Sequence, residues 1–301
     1  MTLASRVARS VRHAFPSPYM LARMRLGQMW FLCAAMGLSL ACGKDGAPKA
    51  RELVRTQHVP RVRKFVIDMI AQHTRGLTVA AERVAPGFAM AAGEHQEQEM
   101  RKALKLIRSP KRGVQDLVVS ALSFLAVVNS EGRCVAREIE PDPMKGMDMS
   151  QFTVVADALK GKAGYGIGEF KTESDKPSSV LLMAAPSLSH GRVVGAMVLG
   201  IPLWRLQQVL SKQLQMELAS REQQVIIWVY VYRGADLQHH GTPPDLDKLV
   251  PDYSARTAGY AKSPGGFTGA VNQFAYWYGY GVQPLRVLGP DIGVVVFRME
   301  P

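Results

Sequence analysis

Few residues of this chain are spaced for covalent chemistry, and those that stand out suit the holding of a small molecule instead. Gly164-Tyr165-Gly166-Ile167-Gly168 is glycine-rich, but it lacks GxGxxG spacing and precedes a strand instead of opening a helix after one. Glycines that thin one face of a strand are the expected reading. His239-His240 has no third ligand at helical or loop spacing, so a polar turn is expected there and no metal. Glu94-His95-Gln96-Glu97 is not a HExxH zinc helix, and there is no GxSxG elbow. A triad assembled from distant residues stays open. No catalytic residue and no cofactor are expected, and the chain is read as a protein that is not an enzyme.

Two groups of residues are suited to recognition. The run Phe274-Ala275-Tyr276-Trp277-Tyr278-Gly279-Tyr280 is the most unusual composition in the chain. On a strand, Phe274, Tyr276, Tyr278 and Tyr280 share one face and Trp277 lies on the other. Tyrosines on a concave sheet face suit a pocket, because each offers a flat apolar ring and a hydroxyl; core packing is the alternative. Earlier in the chain, Tyr165, Ile167 and Glu169 share a strand face, where Glu169 needs a partner or water. Arg137 is its expected partner, or else binds a ligand carboxylate bidentately. A solvated sheet edge accounts for both charges more simply. Arg137, Tyr165, Glu169, Tyr276 and Tyr278 are the candidate ligand-binding residues.

These side chains have to be positioned by a chain of 301 residues, enough for one large or two small domains. Its 47% hydrophobic and 21% charged residues are ordinary for a globular protein. The net charge of +12 is partly N-terminal, since Arg6, Arg9, Arg12, Arg23 and Arg25 precede Cys42 and no acid does. The remaining basic residues are scattered, so nucleic-acid binding is not expected.

The most regular stretch is Ser179–Leu210. Val180–Ala185 and Val193–Ile201 flank a short polar turn containing Gly191, which makes an antiparallel hairpin. Leu203, Leu206, Val209 and Leu210 then fall on one helical face, with Pro202 at the junction. That helix is expected to run to about Gln223. Upstream, Gly43 to Val59 reads as a polar tether, and apolar positions from Val62 to Val84 recur at three and four, predicting a long amphipathic helix from Pro60. A second helix is expected over Glu94–Ile107. Strands at Leu122–Val128, Arg133–Ile139 and Tyr165–Phe170, a loop at Asp142–Met149 and a helix at Gln151–Lys160 precede the hairpin. Downstream, strands at Val225–Tyr232, Asp236–His240, Phe267–Gln273, Phe274–Tyr280 and Ile292–Arg298 repeat the order, with a short helix at Leu246–Val250. The fold class is α+β: a long N-terminal helix followed by two modules, each a five-stranded antiparallel sheet, at 60–210 and 211–301. An unrelated β-rich appendage after the first module is the alternative.

Residues 1–42 read as a targeting segment. The apolar run Met29–Ala41 is too short to span a bilayer, which takes about 20 residues as a helix. Leu38-Ser39-Leu40-Ala41-Cys42 resembles a bacterial lipobox, which implies cleavage before Cys42 and a lipid on its thiol. An ordinary signal peptide with a chance cysteine is the alternative. Of the three cysteines, Cys33 leaves with the signal and Cys42 is acylated, leaving Cys134 as the one thiol of the folded part.

The wording around the hairpin, Ala184-Ala185-Pro186-Ser187-Leu188 followed by Gly191-Arg192-Val193-Val194-Gly195-Ala196-Met197-Val198-Leu199-Gly200-Ile201-Pro202-Leu203, resembles the last two strands of a Cache domain. Cache domains are the extracytoplasmic PAS-like sensors of bacterial chemoreceptors and sensor kinases. The resemblance implies a double-Cache arrangement that binds a small metabolite over its sheet and reports it by shifting helices. Family members usually continue into a membrane span and an output domain. This chain ends after its last strand, so a lipid-anchored, periplasmic-side sensor acting through a signalling or envelope partner is expected. A structural or assembly lipoprotein using PAS-like modules for protein contacts is the alternative. The ligand is expected on the loop side of the first module, bordered by Pro141–Ser150, with a smaller pocket in the second module.

Overall fold

Eleven residues of one long helix turn inward at three- and four-residue spacing, from Val59 to Val84, and the rest of the fold is layered on that face. The computed structural model describes residues 46–118, 124–170, 178–219, 225–239, 244–273 and 275–300. The targeting segment with Cys33 and Cys42, the first tether residues, Leu122, Gln223, His240, Pro243 and Phe274 lie outside the described residues. Helix α1 (Pro48–Leu53) passes through a π-helical turn (Val54–His58) into α2 (Val59–Val84). A 3-10 turn (Ala85–Ala89), α3 (Glu94–Ile107) and the short α4 (Gln115–Val118) lead to the first sheet.

The first module holds β1 (Phe124–Asn129), β2 (Cys134–Arg137), α5 (Thr153–Leu159), β3 (Gly164–Phe170), β4 (Ser178–Ser189) and β5 (Arg192–Pro202). Its strand order is β2-β1-β5-β4-β3, with every neighbouring pair antiparallel. The hairpin β4–β5 turns through His190 and Gly191, both at positive φ, the turn geometry that matches strand twist. Helix α6 (Leu203–Ala219) follows β5 directly.

The second module repeats the plan with β6 (Ile227–Arg233), β7 (Asp236–Gln238), α7 (Pro244–Asp247), α8 (Tyr253–Lys262), β8 (Phe267–Gln273), β9 (Tyr276–Pro284) and β10 (Ile292–Met299). Its order, β7-β6-β10-β9-β8, is the first module's order strand for strand, and it too is antiparallel throughout. The C-terminal part is therefore a second PAS-like module and not an unrelated appendage.

Alternation along each strand divides the apolar residues between two sides. Leu125, Val127, Leu181 and Met183 of the first sheet join Val229, Val231, Val294 and Val296 of the second in one core with α2 and α6. The outer faces form separate cores. Phe124, Ala126, Val128, Leu182 and Val198 pack under α5 and the loop methionines Met144 and Met149. Tyr230, Tyr232, Tyr278, Val295 and Phe297 form the outer core of the second module.

The structure corrects the reading of residues 43–59 as a tether. From Pro48 onward they are helical, and Ala50, Val54 and His58 are buried. Their seat is β9, where glycine lets helix and strand backbones meet: a Cβ on Gly279 would lie 2.4 Å from the Arg51 backbone nitrogen. The Glu300 carboxylate accepts hydrogen bonds from the backbone nitrogens of Lys49 (3.2 Å) and Ala50 (2.6 Å), capping α1. A second correction concerns Tyr253–Lys262, which is a ten-residue helix where the sequence reading placed no element.

Buried His73 makes stability pH-dependent. Its Nδ1–H donates to the Met69 carbonyl at 2.7 Å, and its Nε2 has no acceptor or donor. Burial lowers its pKa below the ordinary 6.5, outweighing the opposing effects of the Met69 hydrogen bond and Asp116. The folded chain keeps His73 neutral while the unfolded chain takes up a proton as pH falls below 6.5. This contribution to stability is complete above that pH and is lost below it, with a limiting slope of about 1.4 kcal/mol per pH unit. Urea unfolding at pH 7.5 and 5.5 should show a smaller acid loss in His73→Leu than in the parent. Equal losses would refute the assignment.

Candidate functional site

Arg137 ends β2 at one edge of the first sheet, and its backbone is fixed on both sides. Its N–H donates to Asp142 Oδ2 (3.0 Å), and its carbonyl accepts from Arg101 Nε (3.2 Å). Arg101 is itself buried on α3 and held by Glu97 at 2.7 Å and by Glu140. Beside it, Arg108 at the C-cap of α3 reaches Glu138 (3.3 Å), whose other oxygen takes the Leu125 N–H (3.0 Å). Arg101 of α3 and Arg108 at its C-cap thus clamp the end of β2.

The Arg137 side chain pairs in register with Ala126, which puts it on the outer, loop-covered face. The residue is 8% exposed, and its guanidinium carbon lies 5.4 Å from the centroid of the Phe124 ring. Its Nε is buried without a hydrogen-bond partner, and no carboxylate of the described residues pairs with it. A desolvated guanidinium is costly unless an anion or acceptor meets it. The floor beside it is aromatic. Phe124 meets Phe170 edge to face at 5.7 Å, and Phe170 stacks on Phe152 at 4.7 Å. Beyond Phe152, a cavity of about 500 Å³ opens between α5 and β3, bordered by Val154, Asp157, Lys162, Gly164 and Gly166.

The other candidates of the first module lie away from Arg137. Tyr165 and Glu169 pair with Met183 and Ser179, on the face that carries Ile167 toward the long helix. They lie on β3, at the opposite edge of the sheet from Arg137 and on its other face. Glu169 is therefore not the partner of Arg137. Its Oε1 accepts from Arg233 Nη1 of β6 at 2.6 Å, and the same nitrogen donates to Ser179 Oγ at 3.1 Å, so the pair joins the two modules. Tyr165 is 41% exposed. Of β3, Gly164, Tyr165, Gly166 and Ile167 all line the cavity beside α5, so Tyr165 borders that cavity although it is remote from Arg137, and a Cβ on Gly168 would lie 2.7 Å from Leu182.

In the second module Tyr278 is buried in the outer core, 5.4 Å from the Trp228 ring, and Tyr276 is exposed at the start of β9. Neither lines the cavity beside α5 or the one under α8. A cavity of that module, about 590 Å³, lies at the far end of β9 under α8. It exceeds the one beside α5, against the expectation of a smaller second pocket. The residues that build it, Tyr232, Arg256, Tyr260 and Arg286, were not singled out in the sequence. Tyr253, Arg256, Thr257 and Tyr260 do recur at helical spacing, which was the available signal.

Groups for covalent or metal chemistry are poorly placed. Burial pushes the Cys134 thiol up to about 12, so it is no thiolate at neutral pH. His239 faces Asp247 at 3.2 Å, and among the described residues no three metal-ligating side chains converge. No helix among them is long and apolar enough to cross a membrane.

No family model and no curated protein matches the chain. Solved structures do. The ligand-binding domain of the Campylobacter jejuni chemoreceptor Tlp3, in complex with L-valine, aligns with a TM-score of 0.51 at 10% identity, covering 83% of this chain and 91% of that one. The same domain with isoleucine bound also gives 0.51, over 83% and 91%, at 10% identity. The sensor domain of the V. cholerae histidine kinase DctB aligns at 0.49 and 11% identity, over 81% of this chain and 95% of the other. At such identities the likeness is one of fold.

Proposed function

We propose that this chain, which has the fold of a Cache-type sensor domain, is an extracytoplasmic protein that binds a small metabolite in its first module. The observation that carries the reading is Arg137, a buried cation on the loop-covered face whose Nε and charge are unmet by the described residues. An anionic group on the ligand, such as a carboxylate, supplies the missing partner. The phenylalanine row beside it supplies an apolar floor, and the cavity bordered by Asp157 and Lys162 gives further room on the same face. The fold relative solved with L-valine makes amino acids the first class to try. Calorimetric titration of the full chain with the common L-amino acids and small dicarboxylates tests the reading. One of them should bind saturably at one site per chain, and none should be turned over.

The lipobox-like Leu38–Cys42 supports membrane attachment through a lipid on Cys42. In a bacterial host, Cys42→Ser should abolish incorporation of labelled fatty acid and leave an uncleaved precursor. Normal acylation of that variant would remove the anchor from the account.

A further inference from the structure

The cavity of about 590 Å³ in the second module has no part in the reading above, yet it is built like a binding site. Arg256 lies in its wall at 3% exposure. Both terminal nitrogens of that arginine donate to neutral backbone carbonyls, Nη1 to Pro251 and Nη2 to Gly234, each at 2.6 Å. The guanidinium stands 4.2 Å over the Tyr232 ring, and its Nε has no acceptor. No carboxylate among the described residues forms an ion pair with it. Asp252, the nearest acid along α8, spends Oδ1 on the Ala255 N–H as the helix N-cap. The rim adds a second cation, exposed Arg286, whose Nη2 donates to the Pro264 carbonyl at 3.1 Å. The rim acid Asp291 is already engaged by Arg233 Nε at 3.1 Å.

The neutral groups of the wall complete the pattern. The hydroxyls of Tyr232 and Tyr260 are hydrogen-bonded to each other. One proton suffices for that bond, so the pair retains one O–H to give to an acceptor. Burial raises the pKa of both phenols, which keeps them as donors at neutral pH. Apart from Thr257, whose hydroxyl donates to the Tyr253 carbonyl at 2.8 Å, the rest of the wall is mainly apolar, from Pro284, Ile292 and the tyrosine rings. Positive charge in excess, a spare hydroxyl donor and an apolar wall specify one ligand chemistry.

We propose that this cavity is a second ligand site, distinct from the Arg137 face, for a small carboxylate with an apolar body, such as an aryl or branched alkyl carboxylate. The carboxylate meets the Arg256 guanidinium and the tyrosine hydroxyl pair, with Arg286 drawing it in from the rim. The apolar body lies against Pro284 and Ile292.

The test is calorimetry on the full chain with phenylacetate and 4-methylpentanoate, and with phenylacetamide and phenethylamine as neutral and cationic counterparts. Saturable binding of at least one carboxylate at millimolar or lower concentration is expected, with both counterparts weaker by about tenfold or more. Ala261→Trp, which fills the cavity from its exposed wall, should abolish that binding without lowering the melting temperature. Arg286→Ala should weaken it, and Arg137→Ala should leave it unchanged. Because Arg256 also holds two loop carbonyls, the assignment does not depend on replacing it. No saturable carboxylate binding, equal binding of the amide, or full binding by Ala261→Trp would each overturn the proposal. Binding lost in Arg137→Ala but kept in Ala261→Trp would assign the ligand to the first module instead.

Discussion

Arg137→Ala is expected to weaken binding of the first-module ligand by about 10- to 150-fold, the loss of a charge-assisted hydrogen bond worth roughly 1.5–3 kcal/mol. The free protein should melt at nearly the parent temperature. Truncation gives up the contact with Phe124, but it also removes a buried guanidinium whose Nε has no partner, and the two effects oppose one another. Arg137→Lys should recover only part of the affinity, because an ammonium keeps the charge and loses the planar fork. Calorimetry on the three proteins reads this directly. An Arg137→Ala chain that binds as tightly as the parent would place the ligand away from this face.

The largest stability effect is expected at Gly279. A Cβ there would lie 2.4 Å from the Arg51 nitrogen and 2.7 Å from the Ala50 carbonyl carbon, both backbone atoms that no rotamer change can move. Gly279→Val must therefore push α1 off β9, at about 1–3 kcal/mol or more for overpacking. Displacing α1 also pulls the Lys49 and Ala50 N–H groups from the Glu300 carboxylate, a cap worth about 0.5–2 kcal/mol. Gly166→Ala is the matching control, since a Cβ at that strand position meets open space and should change stability by no more than about 0.5 kcal/mol. Urea midpoints of the two variants separate them. A Gly279→Val chain as stable as the parent would mean that α1 is not seated on the second sheet.

The legible parts of the fold were those with a clear period. The hairpin β4–β5, the long helix with its three-and-four spacing and the repeated strand order all follow from alternation and turn residues, and the structure has them. Helix α1 was not legible because its seat is made by the strand. Lys49, Arg51, Glu52 and Arg55 read as a solvated tether, and only the glycines of β9, far away in the chain, allow Ala50 and Val54 to be buried there. Helix α8 was missed for a related reason. Its one buried side chain is an arginine, so it has no apolar stripe to detect.

Candidate site residues were legible as strand faces but not as sides of a sheet. Tyr165, Ile167 and Glu169 do share one face, as their alternation requires. Which face turns to the long helix is a tertiary choice, and the glycines at 164, 166 and 168 lie on the other face, with Gly164 and Gly166 looking across the cavity to α5. Arg137 was picked out for its charge and strand position. Its burial, the clamp from Arg101 and the aromatic floor come from α3, β1, β3 and Phe152 at the N-cap of α5, which no local pattern around residue 137 contains.

The most direct test of the account is an experimental structure of the full chain soaked with the tightest amino acid or dicarboxylate of the calorimetric panel. The account predicts the ligand on the outer face of the first sheet, with a carboxylate oxygen within hydrogen-bond distance, about 2.7–2.9 Å, of the Arg137 guanidinium. A ligand seated on the inner face, or an Arg137 paired with a protein carboxylate while the ligand lies elsewhere, would contradict it.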